Sequence, residues 1–234
     1  MRAIFKRELK GYFISPVGYV FLAAFYCYAG LMFYITGLSE GRTHMDMLFS
    51  SLLIILVVIV PILTMSTMAQ ERRSKTDRCI LTSPVSIWSM VLGKFFAAFT
   101  VYLMAIAITL VMALVCAIYS PPDWSVVLGS FTGLALLGAG CIAVGIFCSA
   151  CTESQAVAAV LSFGVLMFFS FVSAVAAQLP FEFLVKTADK IAFSKRYYAF
   201  TYGIFDMSNL LFFLSAVFIF LFLTVRVVEK RRWS

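Results

Sequence analysis

The chain has 234 residues, of which 63% are hydrophobic and only 12% charged, a balance that leaves too little polar surface for a water-soluble globular domain. Lys and Arg number 18 against 11 Asp and Glu, for a net charge of +7. In so apolar a chain this excess is read as membrane topology and as attraction to anionic lipid headgroups, not as nucleic-acid binding.

The first predicted element is an amphipathic helix over about 2–13, with Phe5, Leu9 and Tyr12 at helical spacing and Arg2, Lys6 and Lys10 pointing elsewhere. It is expected to lie in the inner membrane interface and to end near Gly11 and Pro16. The following apolar run outlasts the roughly 7 to 15 residues of a secretory signal core. Large residues such as Phe33 and Tyr34 fill its end, so it reads as an uncleaved span.

Six stretches lack Asp, Glu, Lys, Arg and His: Gly11 to Ser39, Met47 to Gln70, Phe95 to Pro122, Trp124 to Thr152, Ser154 to Phe181, and Met207 to Val225. Each comes close to or exceeds the roughly 20 residues, at about 1.5 Å rise, that a helix needs to cross hydrocarbon. Pro61 predicts a kink in the second span. The run from Gln70 to Arg78 continues that span without Gly or Pro until Pro84, so a charged helix is expected to emerge from the bilayer. Ser83-Pro84 breaks it, and Ser86 is placed to cap a helix starting at Ile87. On composition alone this connection, about 69–94, is either a docking surface or a solvated loop.

In the fourth span Gly129 and Gly133 form G-x-x-x-G, and Gly138, Gly140 and Gly145 extend the series, which suits close approach of helix backbones. Cys148 and Cys151 form a C-x-x-C pair near its inner end, either packing residues or, with Cys141, soft-metal ligands. Thr152 and Gln155 have capping-box spacing around Glu153, which predicts a tight turn into the fifth span. The outer connection, about 178–206, sets Phe181, Leu184, Val185, Ala188 and Ile191 on one helical stripe and Glu182, Lys186, Asp189 and Lys190 on the other. It predicts a short helix at, or dipping into, the outer leaflet. Tyr197, Tyr198 and Tyr202 follow as an aromatic belt or as the lining of an exit path.

With the amino terminus in the cytoplasm, the inner side holds 13 Lys and Arg and the outer side 5, namely Arg42, Lys186, Lys190, Lys195 and Arg196. The positive-inside rule therefore places both termini inside. None of the charge-free stretches carries a mid-membrane ionisable group, which removes the usual carriers of proton antiport and intramembrane hydrolysis. Gly93-Lys94 is no phosphate-binding loop, since Trp88 stands where the first glycine belongs and Phe95 where Ser or Thr belongs.

Several strings together resemble the permease subunits of ABC-2-type transporters, and among them the gliding-motility-associated branch. They are Pro61-Ile62-Leu63-Thr64-Met65, Glu71-Arg72-Arg73-Ser74 with Thr76, Leu81-Thr82-Ser83-Pro84-Val85-Ser86 and Val91-Leu92-Gly93-Lys94, followed by Pro122-Asp123-Trp124, Thr152-Glu153 with Gln155, and Phe220 to Arg226 with Glu229, Arg231, Arg232 and Trp233. The resemblance implies one all-α permease domain over 1–234 with six transmembrane helices, short re-entrant helices in the outer segment, and a place in the bacterial inner membrane. It implies a second permease subunit, identical or not, and two cytoplasmic ATPase subunits that carry the ATP and Mg, so that this chain binds no cofactor and catalyses nothing alone. Branch members often work with a membrane-anchored extracytoplasmic auxiliary subunit.

By the same resemblance, Glu71, Arg72, Arg73, Lys75, Thr76 and Arg78 belong to a coupling helix, and Phe5, Lys6, Leu9 and Lys10 to a docking helix. Glu71 would orient the junction while the cations meet acidic groups on the ATPase. Three functions follow from these expectations. The first is an exporter that moves substrate between two permeases as the ATPases close. The second is a subunit that transmits force without a solute. The third is a soft-metal exporter using Cys148 and Cys151.

Overall fold

The fold is described from a computed structural model covering residues 2–38, 45–74, 86–119, 123–178, 182–203 and 206–232. Among these residues every regular element is helical: α1 (Arg2–Ile14), α2 (Pro16–Phe33) ending in a π-helical turn (Tyr34–Leu38), α3 (Met45–Thr64), α4 (Ser66–Arg73), α5 (Ile87–Tyr119), α6 (Trp124–Cys151), α7 (Gln155–Ala176), α8 (Glu182–Ile191), α9 (Phe193–Thr201) and α10 (Met207–Arg232). Six stretches are long and apolar enough to cross a membrane: Pro16–Thr36, Asp46–Arg73, Ile87–Ile118, Trp124–Cys151, Gln155–Ala176 and Met207–Lys230. They correspond one for one with the six charge-free runs. The first starts at Pro16 instead of Gly11, because Ser15 is extended and Pro16 sits in the first turn, where its missing N–H leaves no helical bond unmade.

The bundle is organised around α6, whose most apolar window is 78% buried, against 22% for α2 and α7. It packs against α10, α3, α7, α5, α9 and α4. The cause lies in its composition. In lipid no hydrophobic force draws helices together, so the helix with the smallest side chains admits the closest neighbours and gains the most dispersion contact. Gly133 shows how close: a Cβ there would lie 2.5 Å from Cβ of Phe200 on α9. This glycine of the G-x-x-x-G pair therefore receives the outer connection, and Gly129 is also buried. Outward faces are apolar as well, with Val160, Phe168 and Val175 on α7 and Leu211, Phe218 and Ile219 on α10 all exposed, as a hydrocarbon surround requires.

Three local expectations are corrected. The second span is interrupted at Met65, one turn after Pro61, and α4 ends at Arg73; the remainder of the expected extension, 75–78, lies outside the described residues. At the end of α4 the Ser74 hydroxyl bonds back to the carbonyls of Gln70 (2.9 Å) and Glu71 (3.2 Å), competing with continued helix. Thr152 does not cap α7, since Ser154 occupies the N-cap position without a side-chain bond, although the tight turn at 152–154 is present. Tyr197 is no belt residue. It is fully buried and its Oη donates to the Phe49 carbonyl at 2.7 Å, whereas Tyr198 and Tyr202 are exposed. Other expectations match the structure: Ser86 Oγ accepts from the Ser89 N–H at 3.3 Å, capping α5 where predicted.

The outer connection forms two helices. α9 is drawn into the bundle, with Phe193 ring-stacked on Phe169 at 5.2 Å and edge-on to Phe212 and Phe213. α8 packs along α7, with Ala188 buried while Phe183 and Ile191 are exposed. Asp189 joins the two helices by accepting from Lys195 and from Ser173. The Lys195 ammonium first, and the Ser173 hydroxyl second, hold its carboxyl below the usual carboxylate range. Arg196 donates to Asn209 Oδ1 at 2.9 Å and lies 4.4 Å above the Phe212 ring, fastening α9 to α10. Phe181 lies outside the described residues.

Candidate functional site: a charge ring where α1, α4 and α5 meet

α1 lies against the first turns of α5, with Ile4 beside Gly93. The apolar stripe of α1 packs on protein: Phe5 and Leu9 are half-buried against the core, and Tyr12 is buried with its Oη donating to the Leu63 carbonyl at 3.3 Å. Burial of that phenol pushes its pKa up. Lys6 and Lys10 remain exposed on the opposite face.

This docking brings two acids and two cations together. Glu8 Oε1 lies 2.6 Å from the Arg7 guanidinium and 3.5 Å from Lys94 Nζ; Glu71 Oε1 lies 2.8 Å from Arg7 and 2.9 Å from Lys94. Charges therefore alternate around a closed ring, Oε1 of each carboxylate shared by both cations: α1 gives two corners, Arg7 and Glu8, while α4 gives Glu71 and α5 gives Lys94. The Arg7 pKa is raised, first by its hydrogen bond to Glu8 and further by the charge of Glu71. Lys94 is 1% exposed, and its ammonium also donates to the Thr67 carbonyl at 2.6 Å. A buried ammonium is tolerated only with paired charges and satisfied donors, and this one has both.

The other side of α4 is held by α6 and the turn after it. Ser149 Oγ accepts from the Met68 and Ala69 N–H groups, both at 3.1 Å, and donates to the Met65 carbonyl at 3.0 Å, bridging the break that follows Pro61. Arg72 pairs with Glu153 at 2.7 Å and donates to the Cys151 carbonyl at 3.3 Å. Ser149→Ala strands two buried N–H groups and a carbonyl, so we expect a loss of about 1–3 kcal/mol in stability, measured by unfolding in detergent, with the defect localised to α4 by hydrogen exchange.

Of the predicted coupling residues, then, Glu71 and Arg72 are engaged within the chain and Arg73 is exposed, while Lys75, Thr76 and Arg78 lie outside the described residues. Cys141 and Cys148 are buried and Cys151 is exposed. No group of three or more His, Cys, Asp or Glu that could hold a metal occurs among the described residues. Glu8 is not singled out by the sequence, and Lys94 enters there as an inner cation, a failed phosphate loop and the end of the Val91-Leu92-Gly93-Lys94 string, not as a member of an ion-pair cluster. A usable signal was present, because Lys94 is a lone charge between Val91-Leu92 and Phe95-Phe96, seven residues into a capped helix. Such a residue has to find carboxylates inside the protein.

The comparison with curated proteins gives no match. The family model described as ABC-2 family transporter protein matches residues 5–232, from the first helix to the last turn of α10. A match over nearly the whole length, on six apolar helices and a charge-pinned extension of the second, establishes that the chain belongs to the ABC-2 family of transporter proteins.

Proposed function

We propose that this multi-pass membrane protein is the permease subunit of an ATP-driven exporter in the bacterial inner membrane, with both termini cytoplasmic. It works beside a second permease and two cytoplasmic ATPases that bind the ATP and Mg, and in the gliding-motility-associated branch an extracytoplasmic auxiliary subunit joins them. The observation that carries this reading is α4. It continues the second span past the break at Met65 and ends in exposed Arg73, while Glu71 and Arg72 tie its flanks to α1, α5 and the 152–154 turn. A push on the 69–94 segment is thereby delivered to three other parts of the bundle. Arg73, Lys75 and Arg78 meet acidic groups of the ATPase, helped by Lys6 and Lys10 on α1, and Glu71 orients the junction. Substrate passes between the two permease subunits when the ATPases close.

The test uses the intact complex. Exposed ion pairs are each worth about 0–1 kcal/mol, so single reversals weaken ATPase binding slightly, and Arg73→Glu with Lys75→Glu and Arg78→Glu together weaken it roughly tenfold or more. Unchanged ATPase binding and turnover in the triple variant would sink this docking surface. Stimulation of turnover by a co-purifying solute distinguishes transport from force transmission.

A further inference from the structure

We propose that Lys94 is a positioning residue whose buried ammonium joins α1, α4 and the start of α5 into one rigid unit, so that the docking helix and the coupling extension move together and not past one another. The geometry points to this in three ways. Lys94 reaches all the partners at once, with Glu8 on α1 and both Glu71 and the Thr67 carbonyl on α4, and it is 1% exposed. Arg7 and Lys94 alternate with Glu8 and Glu71, so any sliding of α1 along α4 separates opposite charges around a buried ammonium, where such separation is costly. The Thr67 carbonyl belongs to the first turn after the Met65 break, at the point where α4 would otherwise be free to pivot on α3. Exposed Arg7–Glu71 contact alone would not suffice, since Arg7 is solvated and can exchange partners with water.

The test labels Ala3 on α1 and Gln70 on α4, two exposed positions outside the ring, with nitroxide spin labels. The background has the exposed Cys27 and Cys151, together with Cys79, replaced by serine. In the full-length permease in lipid nanodiscs, the wild-type pair gives a single narrow distance distribution. Lys94→Met, still helical and monodisperse, gives a broader one with a longer-distance population. Should Lys94→Met fail to fold, Glu8→Gln, which keeps Glu71 on the ammonium, is expected to show a smaller broadening in the same direction. A wild-type distribution already broad, or a variant distribution identical to wild type, overturns the proposal. In the complex with its ATPase, the wild-type peak holds its position between nucleotide-free and ATP-trapped states, and a shift there also overturns it. Only this last arm rests on the permease reading. If no ATPase associates, that reading fails while the nanodisc measurement still decides the role of Lys94.

Discussion

Lys94→Met lowers the stability of the folded chain by about 3 kcal/mol, the lower end of what removing one partner of a buried ion pair costs. The low end applies because the two carboxylates left behind, Glu8 and Glu71, are 17% and 19% exposed and so keep some access to water. The loss comes mainly from these carboxylates, which lose their buried partner while keeping Arg7, and not from the missing ammonium itself. Lys94→Met combined with Glu8→Gln and Glu71→Gln therefore regains more than half of it, since replacing a whole buried charge group by neutral side chains is often close to neutral. Reversible unfolding in mixed detergent checks both variants. A single-variant loss under about 1 kcal/mol would mean that the ring is solvated and adds little.

Gly138→Ala is expected to be the most damaging single-methyl change in the membrane core. A Cβ at that position would lie 2.1 Å from Cε1 and Cζ of Tyr102 and 2.6 Å from its hydroxyl. The ring has nowhere to retreat. Tyr102 is fully buried, stacks on Phe99 at 6.3 Å, and donates to the Leu134 carbonyl at 2.6 Å. Overpacking of this kind costs about 1–3 kcal/mol where side chains can yield. Here the ring and its hydrogen bond yield together, so we expect about 3 kcal/mol or more and a loosened α5–α6 contact. Tyr102→Ala in the same chain relieves the clash, and the double variant is more stable than the sum of the two single effects predicts. Additive losses would show that α5 and α6 do not meet at this pair.

The two sites differ in how visible they were beforehand. Gly138 belongs to the small-residue series that the fourth span displays openly, so a close helix approach was legible there, though not that a tyrosine from α5 would fill it. Lys94 sat in plain view as an isolated charge, but its partners come from residues far away along the chain, Glu8 being 86 positions distant. Ser149 could not have been found at all, because its role depends on the helix breaking at Met65 one turn past Pro61 and on α6 passing at that level. Tyr197 was read as an interface residue by residue type, and the burial of α9 between its neighbours overrode that preference.

By itself the sequence determined the class, the six apolar helices, the cap at Ser86 and the helical outer connection. These follow from local rules: hydrocarbon demands internally bonded helices of a minimum length, and Ser caps the helix that starts beside it. Only the tertiary structure decided that α6 is the central helix, that α9 is drawn inside, and that α1 spends its apolar stripe on α5. It also decided that Arg7, Glu8, Glu71 and Lys94 close into one ring. In lipid such choices rest on shape and on pairing between distant residues, and neither is written in the periodicity of any one segment.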